Sequence, residues 1–130
     1  LELAELLIVY DSKTKNVERF VQKLDMPNTK IHRDLVVSEK FVLITYTTGF
    51  GAVPKSTIDF LRNNPKHAEN IVGVCASGNK NWGMRFAFSA DRISEEFEVN
   101  ILHKFEMSGL DSDVEKVKSE VKRIWQNITN

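Results

Sequence analysis

Three short, unbroken apolar runs constrain this chain most: Leu6-Leu7-Ile8-Val9-Tyr10, Phe41-Val42-Leu43-Ile44 and Ile71-Val72-Gly73-Val74-Cys75-Ala76. Runs of this length, bounded by turn residues, fit strands buried on both faces of a parallel sheet. Lys30-Ile31-His32 and Ile101-Leu102-His103-Lys104-Phe105 are two weaker strand candidates. Between them, apolar residues recur at helical spacing. Val17, Phe20, Val21 and Leu24 form one stripe, and Ile58 and Leu61 form another behind Pro54, a residue suited to a helix start. Phe86, Ala90, Ile93 and Phe97 form a third. Val114, Val117, Val121, Ile124 and Ile128 form the clearest, with Ser112 and Glu115 at capping-box spacing near its start. Strand alternating with helix implies an α/β fold with right-handed crossovers. Five strands favour the doubly wound order 2-1-3-4-5, with helices on both faces of the sheet. A length of 130 residues suits one domain spanning 1–130. The connection after the second strand is short and polar, so that part of the order has the least support.

Charge and composition exclude several classes. The 18 basic and 18 acidic residues balance, and the basic ones are not gathered on one stretch. That is unlike the footprint of a nucleic-acid binder. No apolar run approaches the ~20 residues of a membrane span, and no secretory signal is visible. The expected location is the cytoplasm. Leu1-Glu2-Leu3-Ala4-Glu5 lacks an initiator Met and reads as a processed end or an expression remnant. Cys75 is the sole cysteine, which excludes a disulfide framework or a cysteine-based metal cluster within the chain. Its place in an apolar strand marks it as inert core. His32, His67 and His103 are scattered with no carboxylate-rich ligand pattern, so no metal is expected. Glu95-Glu96 and the C-terminal Lys and Glu residues read as solvated helix faces.

In open α/β sheets, ligands bind beyond the carboxyl ends of the strands, at the point where strand order reverses. Three loops answer to that rule. Asp11-Ser12-Lys13-Thr14-Lys15-Asn16 follows the first strand and opens the first helix. Free N–H groups and partial positive charge at a helix start suit an anion such as phosphate. Ser12 and Thr14 add hydroxyls, Asn16 can cap or donate, and Lys13 and Lys15 can add charge or simply be solvated. The same residues would also make an ordinary N-cap turn, and the loop alone does not separate the two. It lacks the Gly-x-x-x-x-Gly-Lys pattern of a Walker A loop.

Thr45-Tyr46-Thr47-Thr48-Gly49-Phe50-Gly51 follows the third strand. It offers hydroxyls, aromatic surface and glycines that let backbone approach a ligand closely. A planar heteroaromatic ring needs such edge amides and flat apolar faces. The alternative is a turn with Phe50 tucked into the core, for which a position between two glycines is poorly suited. Ala76-Ser77-Gly78-Asn79-Lys80-Asn81-Trp82-Gly83 follows the fourth strand and is rich in turn residues. Trp82 serves either as a stacking wall or as a cover for the next helix start.

Four segments carry a family resemblance. They are Tyr10-Asp11-Ser12-Lys13-Thr14-x-Asn16-Val17-x-Arg19-Phe20, Thr45-Tyr46-Thr47-Thr48-Gly49-Phe50-Gly51-x-Val53-Pro54, Ala76-Ser77-Gly78-Asn79-x-Asn81-Trp82-Gly83 and Lys104-Phe105-Glu106-x-Ser108-Gly109. The chain resembles the NrdI flavodoxins, small FMN proteins that serve class Ib ribonucleotide reductases. The first segment is shared with many flavodoxins, whereas the second and third are specific. One departure stands out: Lys15 sits where flavodoxins usually carry glycine, although some NrdI relatives also have another residue there. If that position needs positive φ, Lys costs roughly a kcal/mol or more.

The resemblance implies a bound FMN. Its phosphate would be held by Ser12, Thr14, Asn16 and the backbone of Lys13, Lys15 and Val17. Thr47, Thr48, Gly49, Phe50 and Gly51, with Ser77, Gly78 and Asn79, would flank the isoalloxazine. Tyr46, Phe50 and Trp82 are ring-contact candidates, and Gly83, at the end of the third loop, completes the expected cofactor-binding set. Gly49 is the candidate for a redox-linked peptide flip at flavin N5. The resemblance also implies that reduced FMN reacts with O2 to give superoxide or a related oxidant. That oxidant would activate the dimanganese site and tyrosyl radical of the reductase β subunit. The chain would be an activator loaded by an unidentified flavin reductant, not a conventional turnover enzyme. Asp11 more readily orders its loop than acts in catalysis.

Two rival functions follow from the same topology. A phosphoacceptor receiver domain needs an acidic pair after the first strand and an aspartate ending the third. Asp11 stands alone, and the third strand ends Ile44-Thr45-Tyr46. A general electron-carrying flavodoxin is the nearer rival, but the second and third loops fit it less well. A neighbouring class Ib reductase operon would favour the activator reading.

Overall fold

The computed structural model describes residues 6–129; the reading of Leu1 to Glu5 falls outside them. Five strands form one parallel sheet: β1 (Leu7–Tyr10), β2 (Asn28–Lys30), β3 (Phe41–Thr45), β4 (Ile71–Gly78) and β5 (Ile101–Glu106). Their order is β2-β1-β3-β4-β5, as the alternation of runs and stripes predicts. The helices are α1 (Asn16–Leu24), α2 (Lys55–Arg62), α3 (Pro65–Asn70), α4 (Ser89–Phe97) and α5 (Asp111–Thr129).

Side chains alternate across a strand, so each apolar run supplies two cores. Ile8, Tyr10, Val42, Ile44, Cys75 and Phe105 pack with Val17, Phe20, Val21 and Leu24 of α1 and Val114, Val117 and Val121 of α5. Phe20 stacks on Phe105 with centroids 3.9 Å apart. On the other face, Val9, Phe41, Leu43, Val74 and Ala76 pack with Phe60 and Leu61 of α2 and Ala90 and Ile93 of α4. All five residues of β3 are buried. That double burial removes the polar alternation an exposed strand would show.

The structure corrects five local expectations. The second strand is Asn28–Lys30, earlier than Lys30-Ile31-His32. Ile31 still donates to the Tyr10 carbonyl, but His32 already begins a turn closed by Leu35. As an edge strand with little buried surface, β2 carries almost no apolar signal. In α2 the buried residues are Thr57, Phe60 and Leu61, and Ile58 is only half-buried. Phe86 precedes α4 instead of starting its stripe. Ile128 is exposed at the end of α5. The cap of α5 is not built from Ser112 and Glu115. The helix begins at Asp111, and the Asp113 carboxylate accepts from the Leu110 N–H at 2.7 Å. The capping geometry is that of an acid three residues into the helix, set two positions earlier than the sequence match.

Candidate functional site

The loops after β1, β3 and β4 meet at the carboxyl edge of the sheet around a cleft of about 370 Å³. Ser12, Lys13, Thr14, Asn16 and Val17 line it from the first loop. Tyr46, Thr47, Thr48 and Gly49 line it from the second, and Ser77, Gly78, Asn79 and Trp82 from the third. Thirteen of the seventeen predicted site residues thus come together. Lys15, Phe50, Gly51 and Gly83 do not line the cleft. Arg85, Ala87 and Met107 do, and sequence reasoning missed them. Met107 is the position passed over as variable in the fourth segment. Arg85 carries no local motif, because its partner, the Phe50 carbonyl at 2.9 Å, lies far away in sequence.

The first loop presents a row of donors without acceptors among the described residues. Lys15 is the N-cap of α1 and adopts φ 70°; its side chain, which carries donors only, makes no capping bond. The N–H groups of Lys13, Thr14, Lys15, Asn16 and Val17 have no acceptor among the described residues. The next one, Glu18 N–H, donates to Ser12 Oγ at 3.2 Å, which leaves the Ser12 proton free to donate. Thr14 Oγ1 likewise accepts from Asn16 Nδ2 at 3.3 Å and keeps its proton. No carboxylate lines the cleft, whereas Lys13 and Arg85 both do. Unpartnered N–H groups, free hydroxyl protons and unopposed positive charge are the donor set that a phosphate needs.

Asp11 sits just below, 5% exposed, and shapes the site without entering it. Its Oδ2 accepts from Ser56 Oγ and from Thr57 Oγ1, at 2.5 and 2.7 Å. Because Thr57 has given its proton, Thr45 must donate in the 2.8 Å contact between their hydroxyls. This ladder ties β1 and β3 to the start of α2, as expected of a loop-ordering acid. Burial first, and then the charge of Asp11, push the Tyr46 phenol above its ordinary value, against an opposing hydrogen bond from Ser56. Tyr46 therefore keeps its proton at neutral pH.

The second loop is a tight hairpin. Thr48 and Ala52 exchange backbone bonds of 3.0 and 2.8 Å across Gly49, Phe50 and Gly51. Arg92 Nε donates to the Gly51 carbonyl at 2.7 Å, and Arg85 holds that of Phe50. Gly49 has φ 50° and nothing within 4 Å of where a Cβ would stand. Thr47 Oγ1 donates to the Ser77 carbonyl at 3.1 Å, so Ser89 donates in its 2.9 Å contact with Thr47. Phe50 is 74% exposed and stands edge-on to Trp82, centroids 5.4 Å apart. Phe50 is therefore not tucked into the core. Trp82 sits on a 3-10 turn over Lys80–Arg85, half-exposed at the cleft.

A doubly wound parallel sheet in the order β2-β1-β3-β4-β5, with a cleft of loops at its switch point, is the architecture of a flavodoxin-like protein. Solved structures agree on the fold. A short-chain flavodoxin associated with a non-canonical PDU bacterial microcompartment has TM-score 0.75 at 19% identity, covering 96% of this chain and 99% of that one. The Fusobacterium nucleatum flavodoxin bound to flavin mononucleotide has TM-score 0.54 at 18% identity, covering 94% and 97%. A family model described as NrdI flavodoxin-like matches residues 8–119. Protein NrdI of Bacillus licheniformis is 52% identical over 118 residues, covering 90% of this chain and 88% of the relative. Protein NrdI of Streptococcus pyogenes is 45% identical over 132 residues, covering 94% and 91%. The chain belongs to the NrdI flavodoxin-like family.

Proposed function

We propose that the protein binds FMN in this cleft and activates a class Ib ribonucleotide reductase. The observation that carries the cofactor is the first loop, with its unaccepted N–H groups beside Lys13 and no carboxylate in the cleft. Family membership supports the reductase as partner. When bound and reduced, FMN would react with O2 and supply a superoxide-type oxidant to the dimanganese site of the reductase β subunit.

The residues divide the work. Ser12, Thr14, Asn16 and the loop backbone hold the phosphate, and Lys13 adds charge. Tyr46 and Trp82 offer aromatic surface beside the ring. The Gly49–Phe50 peptide turns its carbonyl to hold a proton at flavin N5. Three constraints leave that peptide free while fixing its neighbours: the Thr48–Ala52 bridge, Arg85 on the Phe50 carbonyl and Arg92 on that of Gly51. Trp82 at the cleft, Phe50 edge-on to it and Met84 two residues further along the chain are 46%, 74% and 97% exposed and would meet the β subunit there.

Purification tests the cofactor: a yellow protein that releases noncovalent FMN supports it. The activator role is tested by mixing reduced protein, O2 and Mn(II)-loaded β subunit and recording the tyrosyl radical by electron paramagnetic resonance. If no radical forms, the activator reading fails.

A further inference from the structure

Two residues outside the cleft, Arg19 on α1 and Ser108 in the turn between β5 and α5, converge on one atom, the side-chain oxygen of Asn16. Arg19 Nη2 donates to Asn16 Oδ1 at 2.7 Å. Ser108 Oγ donates to the same oxygen at 2.7 Å. Arg19 Nε donates back to Ser108 Oγ at 3.1 Å, closing a three-membered ring of side chains.

The chemistry of this ring fixes the orientation of an amide. A guanidinium has donors only. Whatever it and the committed Ser108 proton both approach must be an acceptor, so the oxygen of Asn16 faces away from the cleft. The Asn16 NH2 is thereby turned toward the first loop, where it reaches Thr14 Oγ1 at 3.3 Å. One amide proton serves that contact, and the second stays available. Asn16 and Thr14 line the cleft, and Arg19 and Ser108 do not.

The turn that delivers Ser108 is itself held in place. Gly109 has φ 76°, and a Cβ there would lie 2.6 Å from the Phe20 ring, so the turn can press onto α1 only with glycine. Ser77 Oγ donates to the Met107 carbonyl at 2.6 Å, and the Met107 N–H donates to the Gly78 carbonyl at 3.1 Å. The turn is braced against the third loop on one side and reaches Asn16 on the other.

We infer that Arg19 and Ser108 are positioning residues for phosphate recognition: they lock Asn16 with its NH2 toward the first loop, so that it acts as a donor to a phosphate monoester. This rests on the flavin reading of the cleft. Without the ring, Asn16 can present either end, and an oxygen facing a phosphate repels it. The effect belongs to the phosphate and not to the flavin ring.

Titration of the apo-protein with FMN and with riboflavin, which lacks the phosphate, tests this. Ser108→Ala and Arg19→Met are each expected to weaken FMN about tenfold and to leave riboflavin affinity unchanged. Ser108→Thr, which keeps the hydroxyl, is expected to retain the wild-type ratio. Equal loss of both ligands would show general damage to the site and overturn the inference, as would an unchanged FMN-to-riboflavin ratio. If the unsubstituted protein binds neither ligand, the flavin reading itself falls.

Discussion

Lys15 occupies a left-handed backbone position, φ 70°, that a side chain makes costly by roughly 1–2 kcal/mol. Its side chain neither caps α1 nor lines the cleft, and it makes no hydrogen bond or ion pair among the described residues that would offset that strain. Lys15→Gly relieves it but gives the unfolded chain more freedom, which offsets about 0.5–1 kcal/mol. The expected net gain is about 0.5–1 kcal/mol, read as a melting temperature about 2–4 °C higher. Gly49 is the opposite case. There is room for a methyl group, but the left-handed region would resist it and the peptide would lose its freedom to turn. Gly49→Ala should fold and still shift the flavin midpoint potentials; unchanged potentials by spectroelectrochemistry would count against the flip. Gly49 was legible from residue type, whereas the left-handed position of Lys15 was signalled only by the resemblance, since flavodoxins usually have glycine there. Arg85 was legible from neither, because what makes it a cleft residue is a carbonyl brought to it by folding.

At the scale of elements, strands buried on both faces declared themselves as apolar runs, and helices as stripes. Elements stabilised by single polar contacts did not. The edge strand β2 is three polar or half-buried residues. The six-residue α3 rests on Asn64, which accepts from the Lys66 N–H at 3.0 Å ahead of Pro65. The start of α5 depends on Asp113, which also bonds His103 at 2.7 Å. Burial pushes the Asp113 carboxyl up. The His103 bond, the Leu110 N–H and the nearby charges of His103 and Lys80 together outweigh that and hold it below its ordinary value. A carboxylate whose folded value is depressed stabilises the fold above the ordinary carboxylate range and loses that contribution as pH falls through the folded value. Wild type should therefore melt above Asp113→Asn at neutral pH, and the gap should close in strong acid; a gap independent of pH would contradict this. In the turn before α5, Gly109→Ala should cost about 2–3 kcal/mol in urea unfolding, because the new methyl meets the Phe20 ring.

The whole molecule is organised around β3 and β4, and Cys75 lies at their centre, fully buried. Burial pushes its thiol up to about 12, so it stays protonated and unreactive in the folded protein. Thiol labelling should then report global opening: its rate should follow the unfolded population through a denaturant series. FMN at about a hundred times its dissociation constant should slow labelling by the equivalent of about 2.7 kcal/mol. The sheet order could be read from the sequence because it follows from how buried segments alternate. The cleft could be read only in outline, since its far wall is placed by packing between distant segments.

That far wall has a consequence for how the protein comes to be made. The cleft is lined by residues from Ser12, just after β1, to Met107, just after β5. Synthesis runs from the first loop toward the last strand, at about 5–20 residues per second. While β5 and the turn after it are still untranslated, the cleft lacks one side and Asn16 lacks Ser108. A ribosome-bound chain can hold the early loops without offering a finished site. If the cleft holds FMN as proposed, loading is thus a later event than the making of the first loop, because β5 and the turn after it must be in place first.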